Sequence, residues 1–361
     1  MLRIPGPTPC PEEVLQAMTR QMINHRGVEF QALIGSITSR LKEFFQTRGD
    51  VLILTASGTG GMEAAIVNTL SPGDKVLAVV NGVFGERFAD IAEIHGAKVE
   101  RLAFPWGQPD DPDTVRRALD SDRSIKAVLV THNETSTGVT SDLAAISAVV
   151  KQYDKLLLVD AMSSLGCIDL QTDAWQCDVV VTGSQKGWMI PPGLAFVSMS
   201  QKAWAAHAQA RMPRFYWDFA PAKKSLERGQ TSWTPAVSSF YALAVALELM
   251  ASEGLANIFA RHARIGQKTR DEVKSLGLSL FAAEKYASNT VTAVKAPEGL
   301  DAEHLLTILR EEYDLILAEG QRQLAGKIFR IGHLGWVAES DIDVVIERLK
   351  IALPKAGFPT A

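Results

Sequence analysis

Over its first two hundred residues the chain alternates short apolar runs with helical patterns. VLILT (51–55), KVLAVV (75–80), AVLVTH (127–132), LLLVD (156–160), DVVVTG (178–183) and LAFVSM (194–199) are short and rich in Val and Leu, and turn residues bound them. These runs are apolar throughout rather than alternating with polar positions, as strands covered on both faces by helices are. Between them MEAAIVNTL, GERFADIAEIHG and SDLAAISAVVKQY read as helices, and AKVERLAF adds a further strand. The pattern predicts an α/β fold: a large domain whose mainly parallel sheet is sandwiched by helices.

After about residue 200 the pattern changes. SSFYALAVALELMASEG and LANIFARHARIGQKTRDEVKSLG read as long helices, followed by SNTVTAVKAP, a helix near DAEHLLTILREEY, then GKIFRIGHLG and DIDVVIERLKIAL. Two or three strands with helices on one side predict a small C-terminal α+β domain. The expected division is an N-terminal arm over 1–20, a large domain over 21–245 and a small domain over 246–361, hinged near the helix of residues 238–253.

Composition narrows the class. The 361 residues are 47% hydrophobic and 22% charged, ordinary for a globular enzyme, and a formal charge of −4 gives no general attraction to nucleic acid or anionic membrane. Cys10, Cys167 and Cys177 have no ligand-like spacing and, being odd in number, fit a reducing compartment better than a disulfide framework. The start, MLRIPGPTPCPEEV, has no apolar core of signal-peptide type and no run approaches a membrane span, so a cytoplasmic protein without metal is expected.

In a parallel α/β sheet, ligands bind beyond the carboxyl ends of the strands. After VLILT come Ser57-Gly58-Thr59-Gly60-Gly61 and a helix, a place where free amides and the helix dipole attract phosphate. It is neither a Walker loop nor a dinucleotide fingerprint, and by itself a tight turn explains it equally well. Asp160 ends LLLVD, where it could cap the next turn or meet a positive partner. The run Asn133 to Gly138 contains the hydroxyls of Thr135, Ser136 and Thr137, and Ser184-Gln185-Lys186 follow DVVVTG. A lone lysine between two buried strands is most simply a surface-loop residue, but it is also where an amine would form a Schiff base. A phosphate cup, a carboxylate, hydroxyl donors and an amine on one sheet edge are what pyridoxal 5'-phosphate needs.

With these residues in place the chain resembles the class V, fold-type I pyridoxal-phosphate aminotransferases, in particular the alanine–glyoxylate, serine–glyoxylate and serine–pyruvate group. The resemblance runs from PGPTP near residue 5 through SGTGGMEAA, NGVFGER, THNETSTGV, LLLVDAMSSLG and GSQKGWMIPPG to RIGHLG near residue 330. It implies that Lys186 is the Schiff-base lysine and Asp160 the partner of the pyridinium nitrogen. Thr59, Gly60, Gly61 and Gln185 match phosphate-cup positions, Thr135 the hydroxyl beside the ring, and Met162 the residue under it. Phe84 stands where close relatives often carry a Trp that stacks on the ring, and Thr231 where some place a Tyr near the phosphate. Thr234, in GQTSWTP, would reach the cofactor of a neighbouring subunit, which implies a homodimer with shared sites. Arg330 matches the arginine that grips the substrate carboxylate.

The implied reaction is a ping-pong transamination from alanine or serine to glyoxylate or pyruvate. A related transaminase acting on ureidoglycine, aminoethylphosphonate or pyridoxamine is the alternative. A cysteine desulfurase needs a mobile cysteine in the C-terminal half, and no cysteine follows Cys177. A non-enzymatic nucleotide-binding module predicts neither the Asp160–Lys186 pairing nor Arg330. Trp106, Trp188, Trp217, Trp233 and Trp336 are candidates to narrow a pocket or simply to pack.

Overall fold

The computed structural model describes residues 1–358. The large sheet has seven strands: β1 (Asp50–Ala56), β2 (Lys75–Val80), β3 (Lys98–Ala103), β4 (Ile125–Thr131), β7 (Leu156–Asp160), β8 (Val179–Gly183) and β9 (Gly193–Met199). A separate ribbon pairs β5 (Asn133–Glu134) with β6 (Val139–Thr140). The large sheet runs in the order β1-β9-β8-β7-β4-β2-β3, and β9 alone is antiparallel to its neighbours. Strands β7 and β8 are buried at every position, which is why their sequences carry no polar alternation. One apolar layer lies on each face: Phe30, Leu41, Phe45, Leu157, Val180 and Phe240 share one cluster, and Met62, Ile66, Leu129, Leu158, Val181 and Phe219 the other. A parallel-rich sheet sandwiched by helices is thus present as the pattern predicts.

The C-terminal sheet has four strands rather than two or three: β10 (Ser279–Leu280), β11 (Val291–Lys295), β12 (Ala318–Glu319) and β13 (Ile328–Gly332), in the order β10-β11-β13-β12. The two additional strands are two residues long, too short to leave a period in the sequence. Helices Leu255–Ser275, Ala302–Tyr313 and Glu339–Lys355 supply its core through Ile265, Leu309 and Ile346.

The expected hinge helix, Val237–Glu253, sits in the first core through Phe240, Leu243, Leu247 and Met250, so a dividing line at residue 245 cuts it. The chain bends by 84° after it, at Gly254, whose φ of +82° favours glycine. The first residues do not form a free arm. Leu2 bridges to Ile316 beside the small sheet, and Val14 and Ala17 are buried in the large core. Among the described residues no single helix is long and apolar enough to cross a membrane.

Candidate active site

The carboxyl ends of β4, β7 and β8 and the helix after β1 surround a cavity of about 110 Å³. Its walls include Thr59, Phe84, Thr135, Asp160, Met162, Gln185 and Lys186, seven of the residues singled out from sequence. The lysine is presented by a short loop whose main chain is pinned from below. Ser184 Oγ donates to Pro191 O at 2.8 Å and accepts from Leu194 N at 3.2 Å. Two residues past the lysine, Trp188 is fully buried, against Phe45 and Phe196, and its indole N–H donates to Thr182 Oγ1 at 3.2 Å. Gly187 permits this turn, since a Cβ there would stand 2.6 Å from Cys167 Sγ and 2.9 Å from Leu165 O. A buried aromatic plug on one side of the loop leaves Lys186 projecting from the other.

Asp160 is the last residue of β7, pairing with Val181 on one side and Thr131 on the other. One carboxyl oxygen accepts from Met162 N at 2.9 Å, while Oδ2 is buried with no partner. Burial pushes its pKa up to about 7; the Met162 amide opposes that rise and Glu134 adds to it, while Lys186 and Arg87 pull the other way. Burial likewise lowers Lys186 to about 8, against the attraction of Asp160 and helped by Arg330 and Arg87. Its ammonium donates to the carbonyl of Pro5.

The helix Gly58–Thr69 begins at the cavity edge. Its N-cap Ser57 makes no side-chain capping bond, so the amides of Gly58, Thr59 and Gly60 lack the partner a cap would give. Such a helix start is suited to an anion. The glycines themselves answer to packing. A Cβ on Gly58 would lie 2.3 Å from Met162 Sδ, and one on Gly60 would lie 2.8 Å from Trp217. Gly61 is placed otherwise than the resemblance implies. It faces the sheet, where a Cβ would be 2.8 Å from Val181, and its N–H is taken by Ser57 O at 3.2 Å. With its amide inside the helix and its Cα on the sheet, Gly61 allows helix–sheet contact and has no donor left for a phosphate.

Arg330, on β13, stands at the back of the site rather than in the cavity wall. Nε and Nη2 donate to Glu319 O at 2.9 and 2.7 Å, and Nη1 to Thr135 O at 3.1 Å. Burial lowers its pKa to about 10, with Glu134 and Glu319 opposing. Thr234 does not join the cavity within one chain. It is exposed, in a segment tied by Arg26 to Thr231 O at 2.7 Å and Ser232 O at 3.3 Å. Thr231 turns its hydroxyl to Trp233 O at 2.6 Å.

Sequence reasoning gave no role to Arg87, Met62 or Ser163 and noted Asn133 only as the start of a hydroxyl-rich run; all four line the cavity. Arg87 lies 4.8 Å over the Phe84 ring. It falls one helical turn after Phe84, a spacing that could have flagged it. Asn133 gives its amide to Ser163 Oγ at 2.7 Å and to Thr290 Oγ1 at 2.9 Å, joining the large sheet to the C-terminal one. Glu134 is fully buried. It accepts from the amides of Phe84 and Gly85 at 2.9 and 3.1 Å, so it caps the helix that carries Phe84 and Arg87. Of the tryptophans, Trp188 is core, Trp217 covers Gly60, and Trp336 is 49% exposed.

Comparison with known proteins places this geometry. The family model described as Aminotransferase class-V matches residues 2–333. A Synechococcus protein named the small subunit of soluble hydrogenase is 48% identical over 361 residues, covering 99% of this chain and 94% of that one. The serine–glyoxylate aminotransferase of Methylorubrum extorquens is 41% identical over 367 residues, covering 99% and 91%. Among solved structures, the alanine–glyoxylate aminotransferase of Nostoc superimposes with a TM-score of 0.94 at 34% identity, covering 98% of this chain and 94% of that one.

Proposed function

We propose that this chain, which belongs to the class V aminotransferase family, transfers an amino group from a small amino acid, alanine or serine, to glyoxylate or pyruvate in two half-reactions. The observation that carries this reading is one small cavity lined by a half-buried amine, Lys186, and a buried carboxylate, Asp160, whose second oxygen has no partner. The hydrogenase name of the Synechococcus relative has no counterpart in that cavity, whose reactive groups are an amine and a carboxylate.

In this reading the cavity holds pyridoxal 5'-phosphate, and the residues present suit it. The unpartnered Asp160 Oδ2 would accept a hydrogen bond from the protonated ring nitrogen and so keep its proton there. The uncapped amides of Gly58, Thr59 and Gly60, with Gln185, would hold the phosphate. Phe84 and Met162 would give the ring apolar surfaces, and the Thr135 hydroxyl would serve its oxygen. When bound, the group supplies an aldehyde for an amine to join and a ring able to accept electrons. With its pKa lowered to about 8, Lys186 is partly neutral near that pH and able to take the substrate α-proton. Arg330 binds the substrate carboxylate by exchanging a backbone carbonyl for it, a stronger, charge-assisted contact. A homodimer, in which Thr234 serves the partner's cofactor, and a cytoplasmic location complete the proposal.

The test uses purified full-length protein. A visible absorption band that borohydride removes, with the label mapped to Lys186, supports the cofactor assignment; label on another lysine overturns it. A panel of amino donors against glyoxylate and pyruvate then reads the substrate. Preference for alanine or serine supports the proposal, and turnover only with ureidoglycine, aminoethylphosphonate or pyridoxamine overturns its substrate half.

A further inference from the structure

The first eight residues run from the small sheet directly onto the Lys186 loop. Arg3 N donates to Ile316 O at 2.9 Å, and Gly332 N donates to Arg3 O at 2.7 Å. The Arg3 side chain, 6% exposed, pairs with Asp341 at 2.5 Å and reaches Trp336 O at 3.3 Å. The next residues close on the lysine. Lys186 Nζ donates to Pro5 O, Thr8 N donates to Gln185 O at 3.0 Å, and Thr8 Oγ1 donates to Lys186 O at 3.1 Å. Thr8 is 6% exposed. Gly6 shows how tight the approach is: a Cβ there would lie 2.5 Å from Lys186 Nζ and 2.7 Å from its Cδ.

We infer that Pro5–Thr8 form part of the lysine's own site: the Pro5 carbonyl is where the free Lys186 ammonium rests, and Thr8 is a positioning residue that fixes the main chain from which the amine reaches into the cavity. The inference rests on Lys186 being the reacting amine. Three charged groups act on that amine from three elements: Asp160 at the end of β7 favours its charged form, while Arg330 on β13 and Arg87 on the helix after β2 disfavour it. Among the described residues its hydrogen bond goes to none of these but to the neutral Pro5 carbonyl. A carbonyl oxygen accepts only, and it holds the charged ammonium more strongly than it would hold the neutral amine, so it favours the protonated form. On Pro5 the amine is kept protonated, and off Pro5 its proton affinity falls. The anchor of this strap is Gly332, two residues beyond Arg330, so the same eight residues tie the arginine strand to the lysine loop.

The test measures the amine directly. Full-length protein freed of cofactor is treated with limiting acetic anhydride across pH 6 to 11, and acetylation of Lys186 is read by peptide mass, giving a pH midpoint. Thr8→Val removes the hydroxyl at nearly constant volume, Thr8→Ser restores it, and Gly6→Ala crowds Nζ off the carbonyl. Thr8→Val and Gly6→Ala are expected to lower the midpoint by about one pH unit, a tenfold change in the protonation equilibrium. Thr8→Ser should stay within a few tenths of a unit of the unaltered chain. A second readout, the rate of imine formation with pyridoxal phosphate above pH 10, where the amine is neutral in every variant, should fall in Thr8→Val through lost positioning and recover in Thr8→Ser. If Gly6→Ala fails to fold, the Thr8 pair still decides. Identical midpoints in Thr8→Val and the unaltered chain overturn the inference. So does a Thr8→Val chain that only melts earlier with its midpoint unmoved. Because acetylation needs no cofactor, its failure is separable from the borohydride mapping that tests Lys186 itself.

Discussion

Burial leaves the Asp160 carboxyl with one bond, from the Met162 amide, and one oxygen with none. A group whose folded pKa is raised to about 7 binds its proton more tightly than in the unfolded chain, where a carboxyl titrates near ~4. The sign follows from linkage: in the cofactor-free protein this carboxyl's contribution falls as pH rises from about 4 to about 7, and its full cost is present above that. Asp160→Asn removes this cost, so at pH 8 the cofactor-free variant should unfold at a higher temperature than the unaltered chain, by up to about 4 kcal/mol of stability, with the advantage gone near pH 4. Turnover should fall by on the order of a hundredfold or more, since an amide cannot hold a proton on the ring nitrogen as a carboxylate does. Calorimetry at both pH values and a transamination assay check this, and near-normal turnover would remove the role. Lys186 and Asp160 were legible in sequence because each interrupts or ends an apolar strand, where a charge demands a reason. Arg87 was not, and Asn133 was noted without its role, because a polar residue on a helix or ribbon is ordinary until the fold shows what it faces. Gly61 was misplaced for the converse reason: a glycine run next to a helix start fits a phosphate and a sheet contact equally well, and only the Val181 distance separates them.

Among the elements, β13 carries one of the links between the two sheets. Arg330 spans from Glu319 on β12 to Thr135 beyond β4. Arg330→Ala should raise KM for both the amino acid and the keto acid while leaving cofactor absorption nearly intact. It should also cost about 1–3 kcal/mol of stability, because Thr135 O and Glu319 O lose their donor. Kinetics unchanged toward both substrates would make the residue purely structural. Just past the strand, His333 donates from Nδ1 to Asn289 O at 3.1 Å and meets Thr292 Oγ1 at 2.9 Å; His262, on the helix Leu255–Ser275, donates to Ile258 O at 2.8 Å and accepts from Gly335 N at 3.1 Å. Burial lowers both to about 3, with Arg261 adding for His262 and Arg270 for His333. A depressed folded pKa contributes stability that is present above the unfolded value near ~6.5 and is lost as pH falls toward the folded one. The contribution of these two groups to the unfolding free energy should therefore decline from about pH 6.5 to 4, by up to roughly 3 kcal/mol per histidine, against the opposite drift that Asp160 gives the cofactor-free chain. In His333→Gln the slope over that window should become shallower, as urea titrations at several pH values would read. None of this histidine pairing was visible in RIGHLG, whose period marks a strand but says nothing of what the last side chain meets. The large sheet, by contrast, was legible strand by strand, because burial on both faces writes continuous apolar runs.

At the scale of the whole molecule the single chain leaves an apolar surface that its own fold does not cover. Val28 is 79% exposed, Phe215 77% and Met22 54%, and Trp233 lies 5.0 Å from the Phe215 ring and 6.0 Å from that of Tyr216. Thr234, also exposed, follows Trp233 directly. An aromatic cluster of this kind is the usual mark of a surface that meets another protein, and a second copy of the chain fits the reading in which Thr234 serves a neighbouring cavity. The segment Gln230–Thr234 sits among these aromatics, apart from its own Lys186 pocket, which is the arrangement a shared site requires. Two inactive variants test it together: Lys186→Ala, and a chain whose residues 230–234 are replaced by glycines. If each cavity takes its lysine from one chain and its loop from the other, a hybrid dimer has one intact site and one doubly damaged site. After full subunit exchange of equal amounts, half the dimers are hybrids with one good site of two, so about a quarter of normal activity should return. Native mass spectrometry confirms the exchange. Hybrids that form and stay inactive, or a fully active monomer, would show that each chain completes its own site and that Thr234 belongs to the surface alone.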